Sequence, residues 1–116
     1  NSDSWKYYNK KAPYVKVQGL GILPFFNCPH YHGEKGRVSS VKKMMERTKE
    51  LGIALDDDCA LEIIDGKYRI IEAAKNAHAY KLYRKDGKVY EEKIVSNKNM
   101  SRIESLYNYF SFVLSS

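Results

Sequence analysis

Two Asp-Gly pairs constrain the fold of this chain more than any other feature. Asp65-Gly66 and Asp86-Gly87 each stand between two apolar or alternating runs. Asp-Gly in that setting is the strongest short-range signal for a two-residue β-hairpin turn. The runs read as strands at residues 59–64, 67–73, 79–83 and 88–90. The sequence therefore predicts two antiparallel hairpins, each with one face open to water.

The sequence before these hairpins predicts a loop, a strand and a helix, in that order. Residues 1–14 sustain neither a period of 2 nor one of 3.6, which favours a loop. The apolar run 15–23 that follows is typical of a strand. From Val38 to Leu51 apolar residues recur every three or four positions, which predicts a helix. Gly52 is a suitable stop for that helix.

Two further elements complete the pattern. Residues 52–55 form a short apolar run, which predicts a strand that leads into the three aspartates at 56–58. The apolar residues between Met100 and Val113 recur at helical spacing and predict a terminal amphipathic helix. A chain of 116 residues is at most one domain, and 43% hydrophobic residues are enough for a packed core. The predicted class is α/β.

The net charge and the two cysteines limit which partners and which cellular compartment we expect for this chain. A net charge of +6 and a pI near 9.2 are compatible with nucleic acid or an acidic substrate as a partner. A lysine-rich surface exposed to water would give the same charge and pI. Cys28 and Cys59 are far apart, and no signal peptide precedes them, which predicts free thiols in the cytoplasm. No apolar run approaches the roughly 20 residues of a membrane span. We expect a soluble cytoplasmic protein.

The stretch 25–34 concentrates the reactive side chains, namely Cys28, His30 and His32. It is predicted as the turn between a buried strand and a helix, where α/β proteins commonly keep their chemistry. Alternate residues of one extended segment rarely converge on one ion, so neither a metal nor a cofactor is predicted. Cys28 is a poor candidate nucleophile, because Pro29 restricts the backbone and nothing nearby favours a thiolate.

His30 is a better candidate as a general base. Such a base needs a carboxylate on its far nitrogen, which fixes the tautomer and stabilises the imidazolium. Asp56, Asp57 and Asp58 follow the next predicted strand, on what is expected to be the same edge of the sheet. A solvated acidic turn and an ordinary hydrogen-bonded histidine explain the same residues. No serine lies in a G-x-S-x-G elbow, so the chain offers a base and an acid without a nucleophile.

Several segments taken together resemble one known family, that of peptidase E. They are Ser2-Asp3-Ser4-Trp5, Gly19-Leu20-Gly21-Ile22-Leu23-Pro24, Cys28-Pro29-His30-Tyr31, Gly33-Glu34 with Arg37, and Ala54-Leu55-Asp56-Asp57-Asp58-Cys59-Ala60-Leu61. The family consists of aspartyl dipeptidases, which are serine hydrolases. The chain resembles its C-terminal half over residues 1–75 and, more loosely, over the second hairpin.

The resemblance implies a fold for the whole chain. This fold is the C-terminal portion of a class I glutamine amidotransferase-like, flavodoxin-like three-layer α/β structure, with added β-hairpins and a C-terminal helix. Residues 1–116 would be a single domain that lacks the nucleophile-bearing N-terminal half. In the family, the serine lies in a G-x-S-A-G-A-type elbow shortly before the stretch that matches residues 2–5.

The resemblance also implies roles for particular residues. His30 matches the family histidine, and Asp57 best matches the acid, with Asp56 and Asp58 as alternatives in neighbouring register. Arg37 is a candidate to pair with a substrate carboxylate, for which a guanidinium is well suited. Asp58 stands where the family commonly has glycine, and His32 stands where the family commonly has aspartate.

The leading interpretation is a segment of a peptidase E-like serine peptidase that hydrolyses dipeptides with an N-terminal aspartate. The segment would be inactive alone and would need an N-terminal half with the serine, or a homo-oligomer partner. One alternative is a small basic module that binds nucleic acid through its second hairpin. The residues for that role are Tyr80, Lys81, Tyr83, Arg84, Lys88 and Tyr90. Another is a purely structural, dimerising fragment.

Overall fold

A computed structural model describes residues 2–4, 14–16, 23–96 and 98–107 of the chain. The strands, in chain order, are β1 (Ser2–Ser4), β2 (Tyr14–Lys16), β3 (Phe25–Cys28), β4 (Leu51–Leu55), β5 (Cys59–Ile64), β6 (Lys67–Glu72), β7 (Ala79–Lys85), β8 (Lys88–Ile94) and β9 (Ser101–Arg102). The helix α1 (Arg37–Met45) lies between β3 and β4, and a 3-10 helix (Ile103–Tyr107) follows β9.

A four-stranded sheet in the order β3-β4-β7-β8 positions the residues of interest. β3 and β4 are parallel, and Cys28 at the end of β3 lies beside Ala54 near the end of β4. β7 runs antiparallel to β4, so its first residue, Ala79, pairs with Leu55. The end of β3, the end of β4 and the start of β7 therefore share one edge of the sheet.

Both predicted hairpins are present. β5 and β6 pair antiparallel around Asp65-Gly66, and β7 and β8 pair antiparallel around Asp86-Gly87. All four turn residues have positive φ, between 50° and 75°. A turn with positive φ at both central positions matches the twist of the flanking strands, and Asp-Gly tolerates it at low cost.

The two faces of the four-stranded sheet carry different layers. Helix α1 packs on one face, where the buried residues are Phe26, Cys28, Tyr31, Val41, Met45, Ala54 and Leu82. A second sheet, β5-β6-β9, and the 3-10 helix cover the other face. The buried residues there are Leu51, Ile53, Tyr68, Ile70, Ala79, Tyr83, Ile94 and Leu106.

These layers make the structure mixed α/β, as the sequence predicts. A flavodoxin-like fold has helices on both faces of its sheet. In the part of the chain that the structure describes, α1 covers one face and strands cover the other. No helix in that part is long and apolar enough to cross a membrane.

The predicted helix over residues 38–51 is too long. Helix α1 ends at Met45, where Arg47 N and Thr48 N bond the carbonyls three residues back in tight turns. Leu51 instead begins β4 and pairs with Phe25. Its side chain is buried in the sheet, so the apolar spacing that extended the helix prediction reflects burial in another element.

Gly52 lies inside β4 and does not stop the helix. A Cβ on this residue would lie 3.1 Å from Met45 Sδ and 3.2 Å from Leu82 Cβ. That spacing is tighter than ordinary van der Waals contact, so a residue without a side chain lets α1 pack closely on the sheet.

The predictions for the two ends of the chain need correction. Residues 1–14, predicted as a loop, include β1, which pairs antiparallel with β2. Only the start of the strand predicted at 15–23 is seen in β2, and residues 17–22 lie outside the described residues. The stretch predicted as a turn begins with β3. A strand, β9, and a 3-10 helix replace the predicted terminal helix as far as Tyr107, and residues 108–113 lie outside the described residues.

Candidate active site

The loops that follow β3 and β4 meet at the shared edge of the sheet. Tyr31 N donates to Leu55 O at 3.0 Å, which joins the first loop to the end of β4. His30 has φ of 53°, an uncommon left-handed conformation for a residue other than glycine. This sharp turn directly after the strand directs the chain back over the edge, where the aspartates begin.

His30 and Asp57 are in direct contact. His30 Nδ1 hydrogen-bonds Asp57 Oδ1 across 27 positions of sequence. Both side chains are about half exposed, at 51% and 53%. Because Nδ1 is engaged by a carboxylate, Nε2 is the ring nitrogen that can exchange a proton with a substrate or nucleophile. The arrangement suits a general base that is oriented by an acid.

Asp56 has a different environment and different partners. Its side chain is only 7% exposed. Oδ1 accepts from His32 N at 3.1 Å and from His32 Nδ1 at 2.6 Å, while Oδ2 accepts from His78 N at 3.2 Å. Asp56 N in turn donates to His78 O at 3.0 Å. This buried carboxylate therefore ties the loop after β3 to the loop before β7.

Asp58 contributes through its backbone. It has φ of 62°, and its carbonyl accepts from Ala73 N at 2.8 Å, which closes the base of the β5-β6 hairpin. The sequence left three aspartates as alternatives. Asp57 is the one whose carboxylate hydrogen-bonds His30.

Sequence reasoning missed His78 and considered Tyr80 only for nucleic-acid binding, whereas both lie at the same edge. His78 Nδ1 lies 3.3 Å from Glu72 Oε1. The Tyr80 ring is 5.2 Å from the ring of His32 and 6.5 Å from that of His78. The strand order could have pointed to them. A strand that pairs antiparallel with β4 has to start where β4 ends, which brings the first residues of β7 to this edge.

Comparison with known proteins identifies the family. The family model described as Peptidase family S51 matches residues 1–71, which is more than half of the chain. The chain belongs to peptidase family S51. This is the peptidase E family, so the resemblance seen in the sequence is confirmed. No curated protein and no solved structure gives a significant match.

The range matched by the family S51 model includes both residues of the His30–Asp57 pair. Residues 1–71 contain His30 and Asp57 and end inside the first hairpin. His78, Tyr80 and the second hairpin lie beyond the matched range.

Arg37, the predicted partner of a substrate carboxylate, is 2% exposed in this S51 chain. Its Nη2 donates to Glu34 Oε2 at 3.0 Å. Burial alone would lower the pKa of Arg37, but the hydrogen bond and the charge of Glu34 raise it above its usual value. Arg37 is thus a buried cation with an internal carboxylate partner, which is not the exposed guanidinium that the prediction expected.

Tyr31 anchors the residue next to His30. Its ring is fully buried, and its hydroxyl donates to Glu91 Oε1 at 2.5 Å. Burial, followed by the bond to Glu91, raises the pKa of Tyr31 far above its ordinary value, so the hydroxyl stays a neutral donor. The buried Tyr31 side chain therefore fixes the position of the turn at His30.

The two thiols of the S51 chain form no disulfide. Cys28 is fully buried, and its Sγ donates to Pro29 O at 3.7 Å. Burial, with the charges of Glu72 and Asp56, raises the pKa of Cys59 to about 11. Cys59 is therefore a neutral thiol near pH 7. Among the described residues, no group of three or more His, Cys, Asp or Glu side chains is arranged to hold a metal ion.

The tyrosines of the second hairpin do not form one stacking surface. Tyr80 lies on the α1 face of the sheet, whereas Tyr83 is buried on the other. The Tyr83 hydroxyl donates to Glu92 Oε1 at 2.5 Å. Lys81 Nζ lies 3.4 Å from Glu92 Oε2 and donates to Leu106 O at 3.3 Å. Part of the set proposed for nucleic acid thus serves internal contacts.

Proposed function

We propose that this chain supplies the histidine and the acid of a Ser-His-acid triad in a serine peptidase that hydrolyses dipeptides with an N-terminal aspartate. The contact between His30 and Asp57 carries the proposal. Membership of peptidase family S51, through a match that includes both residues, supports it.

His30 would move the proton. As the serine Oγ attacks the scissile carbonyl carbon, Nε2 accepts the hydroxyl proton and the imidazole becomes cationic. Nε2 then gives that proton to the leaving amine nitrogen as the C–N bond breaks, which leaves an acyl-enzyme. A water molecule then attacks the acyl carbonyl carbon and gives a proton to Nε2. Nε2 passes that proton to the serine Oγ as the acyl C–O bond breaks, which releases the amino acid product and restores the serine. Asp57 keeps the neutral imidazole protonated on Nδ1 and stabilises the cation.

The nucleophile would come from outside these 116 residues, since none of their serines lies in a G-x-S-x-G elbow. An N-terminal half of the flavodoxin-like fold would bring the serine and an oxyanion hole to the edge shared by β3 and β4. That edge is where loops of an α/β sheet bind ligands. A reducing cytoplasm suits the two thiols.

Recognition of an acidic substrate by Arg37 would require the substrate carboxylate to reach the buried guanidinium, beside Glu34 or in its place. A guanidinium has five N–H donors and can pair with more than one carboxylate.

Reconstitution tests the proposal. The chain would be combined with the first half of a family S51 peptidase, ending after its serine elbow, and hydrolysis of Asp-Leu would be measured. The chain alone should give no turnover, and the combination should. Asp57→Ala should lower kcat of the combination about 10²–10⁴-fold. Asp58→Asn is the control, because asparagine removes the charge and tolerates the left-handed backbone at position 58, and it should lower kcat less than tenfold. Equal losses in the two variants would contradict the proposal.

A further inference from the structure

Gly33 lies against the carboxylate of Asp57. A Cβ placed on Gly33 would lie 2.9 Å from Asp57 Cγ and 3.2 Å from Oδ1, and nearer still to Oδ2. Real Cβ atoms essentially never come within 3.0 Å of another heavy atom, as this one would with Cγ and Oδ2. The observed position of Asp57 on His30 therefore requires a residue without a side chain at position 33.

The backbone at Gly33 does not by itself require glycine. Among the described residues, the glycines with positive φ are Gly36, Gly66 and Gly87, and Gly33 is not one of them. Around Gly66, by contrast, nothing lies within 4 Å of a built Cβ, so backbone conformation is the reason for glycine there. At Gly33 the reason is space.

The turn that contains Gly33 is held on both sides. On the N-terminal side, His32 N donates to Asp56 Oδ1 at 3.1 Å. On the C-terminal side, Glu34 receives the hydrogen bond of the buried Arg37 at 3.0 Å. The Asp57 side chain is short and about half exposed, and its carboxylate hydrogen-bonds His30. When a methyl group is added at position 33, the carboxylate moves more easily than the turn does.

We propose that Gly33 is a positioning residue, because its missing side chain leaves the space in which the Asp57 carboxylate reaches His30 Nδ1. The catalytic consequence rests on the function proposed above, but the contact itself can be tested without catalysis. Gly33→Ala should break the contact between His30 and Asp57 while leaving the thermal midpoint close to that of the unmodified chain.

The tautomer of His30 reports this contact. In the 116-residue chain at about pH 9, above the ordinary imidazole range, side-chain ¹⁵N shifts should show the Nδ1–H form. Asp57→Ala should shift His30 toward the Nε2–H form, and Gly33→Ala should give the same spectrum. Gly52→Ala is the control, because its Cβ crowds Met45 and Leu82 in the core. It should lower the thermal midpoint and leave His30 unchanged.

A double-variant cycle covers the case in which Gly33→Ala is poorly folded. If the defect is a collision with the carboxylate, any destabilisation by Gly33→Ala should disappear in the Asp57→Ala background. Destabilisation that persists there, or an unchanged His30 spectrum in Gly33→Ala, would overturn the proposal. Absence of peptidase activity in every form would instead count against the proposed function and leave the spectral result standing.

Discussion

Asp56 and Asp57 are neighbours in the chain, yet one carboxylate is buried and the other is half exposed. The buried one accepts two backbone N–H groups and an imidazole, whereas the exposed one faces His30. Asp56 stays beside the start of β7, where its N donates to His78 O, whereas Asp57 lies one residue farther into the turn. Structural support and proposed chemistry are thus assigned to adjacent residues.

Substitution should separate these two roles. Asp56→Ala leaves the N–H groups of His32 and His78 without their acceptor, so it should lower the free energy of unfolding by about 2–4 kcal/mol. Asp57→Ala removes an exposed contact and should cost less than about 1 kcal/mol. Urea denaturation of both variants measures the difference. Equal costs would mean that the loops are not held together through Asp56.

Cys59 should react slowly at neutral pH. A pKa raised to about 11 keeps the thiol protonated well above the range of a free cysteine, and the protonated form is unreactive. The rate of alkylation by iodoacetamide should therefore keep rising with pH up to about pH 11. Cys59→Ser should abolish this labelling. A rate that levels off near pH 8.5, the ordinary thiol value, would contradict the environment described for Cys59.

At the scale of the elements, the Asp65-Gly66 turn requires glycine because of its backbone conformation and not because of limited space. Gly66 has φ of 74° and open space around a built Cβ. Gly66→Ala should therefore cost about 1–2 kcal/mol, the penalty of a left-handed residue with a Cβ. Asp65→Asn, which tolerates the same conformation, should be nearly neutral. Thermal unfolding checks both, and a neutral Gly66→Ala would show that the turn readjusts.

The sequence predicts these hairpins well because the signal is local to the turn. It also places His30 and the three aspartates 56–58 at one edge, since each set follows a strand. It fails for the end of α1, where Leu51 is apolar because it is buried in β4. It also gives no sign that Arg37 is buried or that Gly33 faces a carboxylate. Those facts depend on packing between distant segments, which no local pattern records.

At the scale of the whole molecule, the positive charge does not by itself make a nucleic-acid surface. Tyr80 and Tyr83 lie on opposite faces, and Tyr83 is stacked on Tyr90 with ring centroids 5.4 Å apart. Bases therefore have no continuous aromatic platform on this hairpin. A gel shift with single-stranded DNA at about 0.15 M salt should show no specific complex. A tight complex weakened by Lys88→Ala would favour the nucleic-acid alternative.

The central claim is that His30, held by Asp57, transfers the proton in a peptidase reaction. The most direct measurement is kcat for Asp-Leu hydrolysis by the combined halves, with and without His30→Ala. We predict turnover that His30→Ala reduces at least about 100-fold, while His78→Ala, the control histidine outside the pair, retains most of it. Turnover that survives His30→Ala, or turnover by the 116-residue chain alone, would contradict the account.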